Sequence, residues 1–369
     1  FLVGEYPKDF LSLLEKVTHL EPFSKDEIKI QLWKAYEFGV RKHDGQKRKS
    51  GESYFHSHCL EVAKTLAKWN MDHITIIGGM LHDTIEDTDT SLHEIKEEFG
   101  TDVASLVDGV SKLGGITFSS RKAKQAGNFM KMLISVAQDL RVIIIKFADR
   151  LHNMRTIKHL STIKRHRIAV ETRDVYVPLA HRLGMAQVKW KLDDLILETL
   201  NPNAYKDIDS KLKSSNKQRE KYIQIITNAL VAELEKYNIS PEVFGRPKSK
   251  SYFYGIIFQR GKSFEEIYDI LAVRVVVKKV EECYLALGVL HQAYKPVQER
   301  FKDFIATPKS NGYQSIHTTI VGPQGKMIEI QIRTEEMEQT AEIGVAAHWR
   351  YKSGENNSEG MDSHVKWLR

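Results

Sequence analysis

One change of hydrophobic period divides this chain. Up to about residue 200 its apolar positions recur at the spacing of helices packed on one another. From Ile239 onward they alternate or run together. Ile270-Leu271-Ala272-Val273-Arg274-Val275-Val276-Val277 is nearly all apolar and β-branched, the pattern of an interior strand covered on both faces. Met327-Ile328-Glu329-Ile330-Gln331-Ile332-Arg333 alternates, which puts Glu329, Gln331 and Arg333 on one face and three isoleucines on the other. A chain that makes this switch once is expected to be an all-helical domain followed by a sheet-containing domain, and 369 residues suffice for two cores.

The helical half carries the densest chemistry. Met80-Leu81-His82-Asp83-Thr84-Ile85-Glu86-Asp87 holds four metal-competent or acid–base groups in six residues. Read as one helix, it sets His82 beside Glu86 and Asp83 beside Asp87. An imidazole with a carboxylate can hold a divalent cation, and a further carboxylate can deprotonate water. Two distant segments bear on this octet. His58 stands at the entrance of a helix marked by Leu60, Ala63 and Leu66, and Asp149 and Asn153 end the apolar run that starts at Arg141. A charge at the end of so apolar a run needs a partner, and a metal is one. Ser24 with Glu27 forms a capping box for a helix running to about Arg41, and the basic, glycine-punctuated loop from His43 to Glu52 leads into the His58 helix.

Composition narrows the ligand class. The net charge of +7 and pI near 9.0 suit a polyanion, either a nucleotide polyphosphate or a nucleic acid. Two scattered cysteines, Cys59 and Cys283, argue against a disulfide framework and for a reducing, cytoplasmic setting. No apolar run reaches membrane-spanning length, and no signal peptide is expected.

The set His58, His82-Asp83 and Asp149 resembles the ligand set of the HD phosphohydrolases. Four stretches in order make the resemblance narrower: Arg48-Lys49-Ser50-Gly51-Glu52, Leu81-His82-Asp83 with Glu86-Asp87-Thr88, Phe147-Ala148-Asp149-Arg150-Leu151-His152-Asn153-Met154-Arg155-Thr156, and Pro178-Leu179-Ala180-His181-Arg182-Leu183-Gly184. Together they resemble the Rel/SpoT stringent-response family, whose bifunctional members make and hydrolyse (p)ppGpp. The resemblance implies that His58, His82, Asp83 and Asp149 hold Mn²⁺, that Glu86 and Asp87 activate water, and that Arg48, Lys49, Ser50 and Asn153 contact the guanosine nucleotide. The family spaces its first histidine as Tyr-x-x-His-Pro, whereas this chain reads Tyr54-Phe55-His56-Ser57-His58-Cys59, with one residue more and no proline. Downstream register favours His58 and leaves His56 as the alternative.

The second half resembles the family's synthetase domain, a nucleotidyltransferase-like mixed sheet that moves pyrophosphate from ATP to GDP or GTP. By that resemblance Asp269 binds Mg²⁺, and Glu329 binds metal or acts as base. Tyr313 stacks on the acceptor guanine, Lys309, Asn311 and His317 surround the acceptor, Arg246 and Lys248 face the donor, and Arg300 and Lys302 carry the Arg-x-Lys-Asp form of bifunctional members. The donor stretch departs from the pattern, because Tyr252 and Ile256 occupy the places of a serine and a phosphate-binding lysine. One lost charge-assisted hydrogen bond costs about 1.5–3 kcal/mol, so synthesis is expected to be weak or lost. Gly255 to Ser263 approaches a P-loop but has one residue too many between its glycines.

The expected organisation is a hydrolase domain at 1–159, a helical connector at 160–205, a synthetase domain at 206–352 and, at 353–369, the start of a further region. The chain is expected to be the catalytic part of a longer protein, with ribosome and tRNA contacts confined to C-terminal domains beyond it and no membrane association. Two other readings stand beside a bifunctional enzyme: a hydrolase whose synthetase half is an allosteric nucleotide-binding module, and a basic nucleic-acid-binding regulator.

Overall fold

The computed structural model describes residues 6–18, 24–114, 139–214, 216–246, 248–261, 263–264 and 271–344. Asp269 and the stretches 115–125 and 353–369 lie outside the described residues. The chain divides into two compact units, with the boundary between Tyr176 and Val177. This boundary falls within the stretch 160–205 expected as a connector. The segment up to Tyr176 is held to the first unit by Arg150, which donates to Glu171 (2.7 Å) and to the Tyr176 hydroxyl (3.0 Å).

The first unit is helical. Ser24 caps the helix Lys25–Lys42 with the full reciprocal box to Glu27. Two helices form its centre. His73–Leu81 buries every residue but Ile74, and Leu140–Arg155 buries an apolar run from Val142 to Ala148 interrupted only by Lys146. Close packing of Lys25–Lys42 on the segment that bears His58 depends on Gly39. A Cβ there would lie 2.1 Å from the ring of Phe55, which is buried.

The second unit is a mixed sheet with helices. Strands β1 (Glu242–Gly245), β2 (Ala272–Val277), β3 (Lys295–Pro296), β4 (Lys302–Asp303), β5 (Ile316–Val321) and β6 (Met327–Thr334) take the order β1-β2-β6-β5-β3, with β4 also on β5. Among the described residues only the β2–β6 pair is parallel. On one face Val273, Val275 and Val277 join Ile328, Ile330 and Ile332. Ile226, Leu230 and Leu234 of the helix Asn216–Glu235 cover them, together with Cys283, Ala286 and Leu290 of Val280–Ala293. The register sets Arg274 opposite Gln331 and Ala272 opposite Glu329 from one side, and His317 opposite Gln331 from the other. The polar residues of β6 thus share the second face with β2 and β5.

Both cysteines are free and buried, and burial pushes both thiols above their ordinary range. Among the described residues no helix is long and apolar enough to cross a membrane.

Candidate functional site

The octet at 80–87 is two helical pieces rather than one. His82 Nδ1 donates to the Gly79 carbonyl (2.8 Å) and Thr84 Oγ1 to the Leu81 carbonyl (2.6 Å). These side-chain bonds compete with the backbone ladder, so the helix ends at Leu81 and restarts as Thr84–Asp87. The expected pairing of His82 with Glu86 on one helical face is corrected accordingly. His82 is fully buried, while Glu86 and Asp87 are exposed.

His58 arrives on a π-helical turn, Phe55–Cys59, immediately before the helix Leu60–Lys68. A π turn holds one residue more than an α turn. It lies where the sequence carries its additional residue, so the downstream helix keeps its phase. His56 on the same turn points elsewhere: it is exposed, and its Nδ1 pairs with Asp9 at 2.8 Å.

Four side chains converge. His58 Nε2 lies 3.2 Å from Asp83 Oδ2 and 3.5 Å from Asp149 Oδ1, and His82 Nε2 lies 3.1 Å and 4.0 Å from the same two oxygens. The ligand atoms of His58, His82 and Asp149 all fall within 4.8 Å of one another. Although near Asp83, His82 Nε2 is buried without a partner in hydrogen-bond geometry, and its Nδ1 is already committed to a carbonyl. A buried ring nitrogen aimed at two carboxylates fits a divalent cation, and imidazole with carboxylate is a borderline-to-hard donor set.

The electrostatics keep both carboxylates ionised. Burial would raise the carboxyls of Asp83 and Asp149, yet His82 beside Asp83 and Lys146 beside Asp149 outweigh it and hold both below the usual range. Burial would likewise lower His82, but the Asp83 charge holds it up at about 9. Glu86 goes the other way, raised by desolvation and by the neighbouring Asp83 and Asp87 charges. A carboxyl raised toward neutrality is better suited to moving a proton than to binding a cation.

Three residues that the sequence reading did not select complete the cluster. Tyr54 donates to Asp83 Oδ2 (2.8 Å), Lys146 pairs with Asp149 Oδ2 (2.9 Å), and His152 Nδ1 faces His58 Nδ1 (2.8 Å). Burial, with His58 and Arg48 beside it, pushes His152 down to about 3, so its ring is neutral. Lys146 was discernible as the one charge inside an apolar run, three residues before Asp149. Tyr54 and His152 fall inside the stretches that carry the family resemblance, but nothing in the sequence gives them a role at the cluster.

Asp149 opens onto a cavity of about 1270 Å³ in the first unit, bordered by Arg48, Lys49, Ser50, Lys146 and Asn153. Arg48 is carried on a tight hairpin in which Gly51 N donates to the Arg48 carbonyl (2.9 Å) and Gly51 takes φ +87°. Its guanidinium donates to Asn153 Oδ1 (3.1 Å). Asn153 in turn donates to Asp149.

The second unit gathers much of its expected set on the polar face of the sheet. Lys248 donates to Glu329 (2.6 Å) and Arg246 stands 3.9 Å away. Gln331 donates to Glu329 (2.6 Å), Arg333 donates to the Tyr313 hydroxyl (3.2 Å), and that hydroxyl pairs with His317 Nε2 (2.6 Å). Lys309 sits 5.1 Å from the centre of the Tyr313 ring. Burial pushes His317 down to about 4, while Lys248 and Gln331 overcome burial to keep Glu329 ionised. Asn311 is used locally, donating to the His181 carbonyl (3.0 Å), and Arg300 and Lys302 are exposed at the sheet edge, Lys302 opposite His317. At the donor stretch Ile256 is buried with Leu197, Ile208 and Phe253. Lys250, on the same stretch, is held by Asp209 (2.7 Å) and the Tyr205 hydroxyl (2.8 Å).

Comparison with known proteins matches residues 35–186 to the HD domain and residues 245–356 to the region found in RelA and SpoT proteins. The chain is 47% identical to a GTP pyrophosphokinase of Myxococcus xanthus, over 91% of this chain and 45% of that protein. It is 46% identical to a guanosine-3′,5′-bis(diphosphate) 3′-pyrophosphohydrolase of Spiroplasma citri, over 93% of this chain and 46% of that protein. It is 44% identical to the bifunctional (p)ppGpp synthase/hydrolase SpoT of Escherichia coli K12, over 94% and 49%. The chain thus spans about half the length of the curated relatives it matches.

Proposed function

Because this chain belongs to the RelA/SpoT family, with an HD domain ahead of a RelA/SpoT region, we propose that its first unit hydrolyses the 3′-diphosphate of (p)ppGpp to GDP or GTP and pyrophosphate. The observation that carries this reading is the convergence of His58, His82, Asp83 and Asp149, with an unpartnered buried nitrogen among them, at the edge of a cationic cavity. These four residues hold a divalent cation, which we assign as Mn²⁺. When bound, that cation acidifies water and neutralises charge on the departing diphosphate. Glu86, with its raised carboxyl, and Asp87 take the proton of the attacking water. Arg48, Lys49, Ser50 and Asn153 hold the nucleotide, Arg48 by the donor fork that suits phosphate and base alike. Two free, buried cysteines suit a reducing cytoplasm.

For the second unit the reading is pyrophosphate transfer from ATP to GDP or GTP at the polar sheet face, with Mg²⁺ held by Asp269 and Glu329. An ionised Glu329 serves a cation better than it serves as a base. Arg246 and Lys248 face the donor, Tyr313 stacks on the acceptor guanine among Lys309, Asn311 and His317, and Arg300 and Lys302 add charge at the rim. The buried Ile256 and the engaged Lys250 favour a second reading, in which this unit binds nucleotide and turns it over slowly or not at all.

Both directions of (p)ppGpp turnover on one preparation test these readings, with Mn²⁺ or Mg²⁺ supplied and Asp83→Ala as control. Hydrolysis that disappears in the control, without synthesis from ATP and GDP, is the expected result. Robust synthesis would remove the second reading, and hydrolysis that survives Asp83→Ala would remove the first.

A further inference from the structure

Two groups converge on a single nitrogen beside the metal cluster. Arg48 Nη1 lies 3.2 Å from His152 Nδ1, and His58 Nδ1 lies 2.8 Å from the same atom. A guanidinium donates and cannot accept, so His152 Nδ1 must present its lone pair. His58 Nδ1, facing that lone pair, then carries the proton of its ring. The lone pair of His58 is left on Nε2, the nitrogen directed at Asp83 and Asp149.

The other imidazole of the cluster gets its tautomer differently. His82 Nδ1 is fixed by the Gly79 carbonyl, a backbone group that no ligand displaces. His58 is instead fixed by a side chain whose acceptor is shared with Arg48, a residue that lines the nucleotide cavity. His152 is buried and does not itself line that cavity.

We propose that His152 is a positioning residue that fixes His58 Nε2 as a metal donor, and that a guanosine polyphosphate which draws Arg48 off His152 tightens the metal. With Arg48 withdrawn, the whole lone pair serves the His58 N–H, and a stronger bond at Nδ1 makes Nε2 a better donor. The coupling is reciprocal: the metal must tighten the nucleotide by the same factor. This inference rests on the hydrolase reading given above.

The test is Mn²⁺ binding without turnover, followed by the electron paramagnetic resonance signal of free Mn²⁺ on the whole chain. His152→Ala is expected to weaken Mn²⁺ about 10- to 100-fold. His152→Asn, whose Oδ1 accepts where Nδ1 did, is expected to recover most of that loss. A ppGpp analogue with methylene in place of its 3′ ester oxygen, which cannot lose the diphosphate, is expected to tighten Mn²⁺ about 5-fold or more in the wild type and to leave it unchanged in Arg48→Ala. Wild-type affinity in His152→Ala overturns the positioning role. If His152→Ala does not fold, an Asn variant that folds but binds as weakly as a metal-ligand variant overturns it as well. An analogue without effect on the wild type overturns the coupling. A wild type that binds no Mn²⁺ at all refutes the hydrolase reading itself, which separates the two failures.

Discussion

Replacing His58 by alanine is expected to abolish hydrolysis, a loss of at least about 100-fold given the several kcal/mol a metal contributes. His56→Ala, two residues away, is expected to leave turnover within about twofold, because His56 is exposed and paired with Asp9. A (p)ppGpp assay on the two variants checks both, and similar losses in the two would contradict the geometry. Tyr54→Phe keeps the ring and removes only the bond to Asp83, so it should weaken Mn²⁺ roughly 10-fold, measurable by calorimetric titration. At this scale the residue types that converge in the cluster were legible from sequence, because His, Asp and Glu declare their chemistry. Their supports were less so. Tyr54 and His152 reach the cluster because of where a π turn and a helix turn place them, and neither position breaks a sequence pattern.

The π turn Phe55–Cys59 illustrates what an element can absorb. One added residue in a helix would ordinarily rotate everything beyond it by about 100°, given 3.6 residues per turn; taken up as a single wide turn, it leaves His58 in phase with Leu60–Lys68. That turn is braced by Phe55 packed on Gly39. Gly39→Ala should therefore destabilise the first unit by about 1–3 kcal/mol through overpacking, visible as a lower urea midpoint with unchanged slope. An unaltered midpoint would mean the ring moves aside freely. Helix and strand identities were readable from period, down to the face of β6 that carries Glu329, Gln331 and Arg333. The break at His82–Asp83 was not readable, because it arises from side chains capturing carbonyls and not from glycine or proline.

Each of the two compact units has its own packed core, so thermal scans should resolve two transitions. Mn²⁺ at a hundredfold excess over its dissociation constant should stabilise the unit that binds it by about 2.7 kcal/mol. That should raise one transition, and chelation should reverse the shift. Movement of both transitions together would show that the units unfold as one. The net charge of +7 did not distinguish nucleotide from nucleic acid, since charge measures attraction and not shape; the family relationship and the cavity beside Asp149 favour a nucleotide. The two cysteines have a practical consequence at this scale. Cys59 and Cys283 are buried with raised thiols, and reactivity follows the exposed thiolate. A maleimide dye should therefore leave the native chain unlabelled. One surface cysteine engineered into each unit would then carry a probe of its own, and resonance energy transfer between the two probes could follow the spacing of the units as guanosine and adenosine nucleotides are added.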